Sequence, residues 1–224
     1  MPRPRTRFAA LLLLAGLVLT SFAPVAVHGA QPAYKLNLYR QGVFTTQYTW
    51  TWCVGASAQA MLNIINGTEN HSRERQKQLV QYAMNHDGHE GNQGGSDATG
   101  FAATLRHHGG GSYAAVRSTS YRSAVRKAVK RIRATGKPVG LLVMGGRHAW
   151  VLNGFEATAD PAATNNFEVT HVYVMGPLYP KQTGQWFDRP PNSRIGIDGF
   201  KNPFRRFDDP DSPEFVGYWV TVNP

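Results

Sequence analysis

The sequence predicts an α+β domain in which helices come first and a largely antiparallel sheet follows. Three observations carry this. Apolar residues recur at helical spacing from Cys53 to about Ala134, whereas from Gly136 onward they alternate or run together as strands do. Segregation of that kind packs helices on an antiparallel sheet instead of winding them around a parallel one. Beyond the first 30 positions about 195 residues remain, enough for one domain with a sizeable core.

Met1 to about Ala30 reads as an export signal. Arg3, Arg5 and Arg7 precede the apolar run Phe8 to Leu19, and small residues follow. The run is about a dozen residues, short of the roughly 20 that cross a bilayer. The expected organisation is therefore a signal peptide, 1–30, and a single domain, 31–224. An extended start, Tyr34 to Tyr39, comes first. Val54, Ala58, Met61, Leu62 and Ile65 then predict a helix from Cys53 to Asn66, ended by Asn66-Gly67. Ser72 caps a second helix that runs to about Asn85. After a glycine-rich loop, Gly88 to Gly95, Ser96 is expected to cap a third helix closed by His107-His108-Gly109. Tyr121 to Ala134 is the clearest amphipathic helix, with Ala124, Val125, Ala128, Val129 and Ile132 inside and six Arg and Lys residues outside. Strands are expected over Val139 to Met144, His148 to Ala157, Phe167 to Met175 and Phe215 to Val222. Pro177 to Pro213 reads as a long surface excursion with a short strand near Ile195.

The chain has 24 basic against 14 acidic side chains, and about +7 remains without the three leader arginines. Such a charge suits solubility or contact with an anionic cell-surface polymer. No nucleic-acid motif accompanies it, so no specific nucleic-acid partner is expected. One cysteine cannot form an internal disulfide in an exported protein, so Cys53 is a packed hydrophobe, an intermolecular tether or a reactive thiol.

Its position favours reactivity. A sulfur at a helix N-terminus meets unpaired backbone N–H groups and the positive end of the helix dipole, and both favour thiolate. A thiolate that attacks a carbonyl also needs a base and donors to hold the oxyanion. Gln47 lies six residues before Cys53, and His148 opens the strand His-Ala-Trp-Val-Leu.

Here the chain resembles papain-like cysteine peptidases. Gln47 to Gln59, with Trp52-Cys53 and Gly55-Ala56-Ser57, is similar to their nucleophile segment. The later order, Gly95 to Leu105, Gly136-Lys137-Pro138-Val139, Leu141 to Met144 and Gly146 to Val151, resembles the double-glycine (bacteriocin-processing) peptidases and their secreted relatives. The resemblance covers about Thr46 to Leu178. It implies a papain-like fold, Cys53 as nucleophile, Gln47 and the Cys53 N–H as oxyanion hole, and His148 as general base and acid. No cofactor and no metal are expected.

The same resemblance expects an Asp or Asn at the end of the strand paired with the His148 strand. That position is Gly176-Pro177, which has no side-chain oxygen. Five residues offer a replacement: Asp160, Asn165, Asn166, Asp188 and Asn192. Trp50, Trp52 and Trp150 flank the candidate residues as substrate-groove walls or as core. His86, His89 and Glu90 are metal-ligand types without regular ligand spacing. The expected protein is a secreted, monomeric bacterial hydrolase of peptide bonds that acts on a peptide or protein. The alternative is an inactive papain-like domain that binds a peptide or an anionic wall polymer. A wall amidase of another Cys/His fold is disfavoured by the gap of about 95 residues between Cys53 and His148.

Overall fold

In the computed structural model the described residues are 33–88, 95–181 and 188–224. The expected signal peptide, most of the glycine-rich loop with His89 and Glu90, and residues 182–187 of the excursion lie outside them. The described residues all belong to one compact unit.

The chain opens with β1 (Tyr34–Asn37) and then makes three helices, α1 (Cys53–Asn66), α2 (Arg73–Met84) and α3 (Ala98–His107). Ser72 caps α2 by accepting from Arg75 N. The cap of α3 is Asp97, one residue later than expected, because its carboxylate accepts from Gly100 N at 2.9 Å. Strand β2 (Ala114–Ser118) follows; it is short and half-exposed, and the periodicity does not announce it. Then come α4 (Tyr121–Thr135), β3 (Val139–Val143), β4 (His148–Ala157), β5 (Val169–Met175), β6 (Ser193–Gly196), a single turn α5 (Ile197–Phe200) and β7 (Trp219–Asn223). The expected last strand is half a turn: Pro213–Phe215 is a 3₁₀ turn, and pairing starts only at Trp219.

All seven strands join one antiparallel sheet in the order β2-β7-β3-β4-β5-β6, with β1 on the far half of β4. Helices α1 to α3 cover one face, against Leu142, Ala149, Val151, Met175, Val220 and Val222. Helix α4 covers the other, against Leu141, Val143, Leu152, Phe155, Val172 and Val174. Burial on both faces is why β3 reads as a continuous apolar run and not an alternation.

Three features of α1 set up the site. Its first turn has no side-chain cap, and the first hydrogen bond it makes is Ala56 N to Trp52 O, at 2.9 Å. The same turn lies close on α2, since a Cβ at Gly55 would meet Val80 Cβ at 2.8 Å and Gln76 O at 2.9 Å. Ser57 Oγ donates to Ala149 O at 3.0 Å, which ties α1 to the start of β4. Cys53 and His148, 95 positions apart, thereby meet at the mouth of a cleft.

Candidate active site

The cleft has a volume of about 220 Å3 and takes its walls from four places: the head of α1, the approach to α3, the start of β4 and the 207–212 loop. Cys53, Gly95, Asp97, His148, Phe207 and Ser212 are among its lining residues. Small-molecule sites usually run from about 300 to 1,000 Å3. This cleft is smaller than that, with room for about one or two side chains.

His148 is 3% exposed, and its Nε2–H donates to Asp188 Oδ2 at 2.9 Å. The Cys53 sulfur is near enough to the ring to act on its charge, and with Nε2 engaged Nδ1 is the ring nitrogen left to face it. Burial alone would push the imidazole down. The Asp188 carboxylate and the Cys53 sulfur outweigh it and raise His148 to about 9. A charged imidazole held between a carboxylate and a thiol is the arrangement that stores a proton for a leaving amine.

Asp188 is 1% exposed. Beside His148 it accepts from Trp150 Nε1 on Oδ1 and from Leu178 N on Oδ2, both at 2.7 Å. Three donors offset the cost of burying the carboxylate.

The other four residues weighed for this role lie elsewhere. Asp160 forms a two-pronged pair with Arg133 at 2.9 Å. Asn165 accepts from Arg126 and Lys130, and the Asn166 N–H donates to Thr164 Oγ1. Asn192 Oδ1 accepts from the side-chain amides of Asn37 and Asn153 at 2.9 and 2.8 Å. Sequence spacing alone does not separate these five, because what decides is which loop folds back over Gly176.

Gln47 is 1% exposed, and its amide nitrogen donates to Thr49 O and Trp50 O, both at 2.9 Å. It braces the turn that leads into Cys53. For that nitrogen to donate to an oxyanion, one of the two carbonyls must give way.

The three tryptophans separate. Trp50 is 58% exposed just before α1. Trp52 is half-buried beneath the Arg73 guanidinium, 5.9 Å from its ring centre. Trp150 is not a groove wall but a buried residue of the sheet that holds Asp188. Of the metal-ligand types, His86 stacks on Tyr82 at 3.9 Å between ring centres, and His107 stacks on the same ring.

No curated protein and no solved structure matches the chain. The model of the Peptidase_C39 like family matches residues 39–197, a span from just before Gln47 to just past β6 that contains Cys53, His148 and Asp188. With that match over most of its length and an α+β, papain-like architecture, the chain belongs to the Peptidase_C39 like family, a branch of the papain-like cysteine peptidase superfamily.

Proposed function

We propose that the protein is an exported cysteine peptidase that cleaves peptide bonds through an acyl-enzyme on Cys53. The observation that carries this reading is the series from half-buried Cys53 through buried His148 to buried Asp188 at the edge of a cleft. The Cys53 thiolate attacks the peptide carbonyl carbon and forms the C–S bond. The oxyanion draws hydrogen bonds from the Cys53 N–H at the uncapped head of α1 and from Gln47, whose amide gives up one turn carbonyl. As the C–N bond breaks, His148 Nδ1 delivers its proton to the departing amine. Neutral His148 then takes a proton from water, the hydroxide adds to the thioester, and the thiolate leaves with the electron pair of the C–S bond. Asp188 holds the ring through both steps.

The arginine-led apolar segment 1–30 supports export, with a peptide or protein as substrate. The inactive-scaffold alternative drew on the missing side-chain oxygen at Gly176, and the Asp188 contact to His148 weakens that ground. A dedicated anionic-polymer surface on α4 draws little support either, since Arg126, Lys130, Arg131 and Arg133 are engaged by Phe167, Asn165, Pro224 and Asp160.

The test is the rate at which a thiol-alkylating reagent modifies Cys53 from pH 4 to 10 in the parent and in His148→Ala. Fast labelling near pH 5 to 6, where an ordinary thiol of pKa about 8.5 is protonated, lost in His148→Ala, is the expected result. Cleavage of a peptide library, abolished in Cys53→Ala, completes it. Labelling that follows an ordinary thiol sinks the peptidase reading.

A further inference from the structure

Gly176 follows β5, and in the β4–β5 register Val151 faces Met175 and Leu152 faces Val174. One step further brings Trp150 opposite Gly176, and opposed residues of an antiparallel pair share a face. Gly176 is not among the positive-φ glycines of the chain, so its backbone does not require glycine. Space does. A Cβ on residue 176 would stand 2.6 Å from Asp188 Oδ1 and closer still to Cγ and Oδ2. Atoms in ordinary contact keep roughly 3.5 Å apart.

We propose that Gly176 and Trp150 are the positioning residues of the site: the notch at Gly176 receives the Asp188 carboxylate, and the Trp150 indole fixes its rotation. This rests on the reading of Cys53 and His148 as the catalytic pair. Oδ1 is taken by Trp150 Nε1, and Oδ2 is shared by Leu178 N and His148 Nε2. With both oxygens engaged the carboxylate plane cannot turn, so the imidazole has one place to sit. Asp188 and a side chain at 176 compete for one volume. The orienting oxygen at the end of β5 is thus supplied from residue 188, and the glycine that reads as a missing acid is the space that acid needs. A carboxylate attached at 176 would start one carbon–carbon bond, about 1.5 Å, from its own Cβ and enter the same volume.

The experiment follows two readouts in the full chain: the NMR titration of the His148 ring and the alkylation of Cys53 at pH 5 to 6. The variants are Gly176→Ala, Trp150→Phe, Asp188→Gly and the double Gly176→Asp/Asp188→Gly. In Gly176→Ala and Trp150→Phe the His148 midpoint is expected to fall from about 9 toward the ordinary 6.5, with low-pH alkylation slowed about tenfold or more. Alkylation at pH 10, where any exposed thiol reacts, stays at the parental rate. The double variant is expected to regain at least tenfold of what Asp188→Gly loses. Trp150→Phe keeps the ring and carries the test if Gly176→Ala does not fold. A His148 titration unmoved in Gly176→Ala or Trp150→Phe, or a double variant no better than Asp188→Gly in that titration, overturns the proposal whether or not Cys53 is reactive. A parent that labels as an ordinary thiol, with His148 still responding to Gly176, sinks the peptidase reading alone.

Discussion

His148 sets the alkaline side of the pH dependence of the site. Its folded pKa of about 9 stands above the ordinary 6.5, so the imidazolium contributes stability that is complete below about pH 6.5 and lost as pH rises through about 9. Turnover that needs the imidazolium should therefore have an alkaline limb near pH 9. In Asp188→Asn the raising carboxylate is gone while burial, which lowers the pKa, remains. The limb is expected to move to lower pH, with kcat/KM at pH 8 down about tenfold or more; pH profiles of peptide turnover check it, and an unmoved limb would exclude Asp188 as the partner. Gln47 is separable by a different signature. A donor that acts on the oxyanion lowers kcat and leaves KM nearly unchanged, so Gln47→Ala is expected to lower kcat about 10²-fold. If Gln47 only braced the 47–53 turn, the variant would lose thermal stability and show scattered losses in both constants. At this scale the sequence was half legible. A lone cysteine at a helix head and a strand-opening histidine stand out by position, but a carboxylate arriving from a loop 40 residues past His148 leaves no spacing to read.

The elements place those residues through two contacts of α1. One is Ser57 to Ala149; the other is the close approach of α1 and α2 at Gly55, where Val80 Cβ would lie 2.8 Å from an added methyl. Gly55→Ala is expected to force the helices apart and destabilise the fold by about 1–3 kcal/mol, the usual cost of overpacking. Urea denaturation reads it. Because the shift also moves Cys53, alkylation at pH 5 to 6 should slow in the same variant. A variant as stable as the parent would mean that α2 yields without cost. Periodicity made four helices and most strands readable here, since each buries one face. It failed at β2, whose five residues are half-exposed and short, and at Phe215, where aromatic and β-branched composition mimics a strand but Pro213 opens a 3₁₀ turn. The cap of α3 went to Asp97 and not Ser96 because caps are chosen by backbone geometry, and either side chain suits the role.

At the scale of the molecule, the basic helix α4 works inward. Arg126 and Lys130 hold the 158–168 loop, Arg133 pairs with Asp160, and Arg131 binds the carbonyl of Pro224, so the outer stripe clasps the β4–β5 connection and the chain end. A charge run in the sequence shows the stripe but not its partners, which lie 27 to 93 residues away. The same logic sets the lower bound of the folded unit. β1 starts at Tyr34, pairs over four residues with Gly154 to Ala157, stacks Tyr34 on Phe155 at 5.9 Å and sits under the Arg133 guanidinium. Cleavage after about Ala30 spares all of this; removal of the first 37 residues deletes the strand and opens that edge of β4. A chain that starts at Gln31 is expected to melt at the same temperature as the protein recovered from its host and to give the same Cys53 alkylation profile. A chain that starts at Leu38 should melt lower. Intact-mass measurement of the protein recovered from its host is expected to show the loss of about 30 residues, and a mass that retains Arg3, Arg5 and Arg7 would sink the export reading while leaving the β1 comparison to stand by itself.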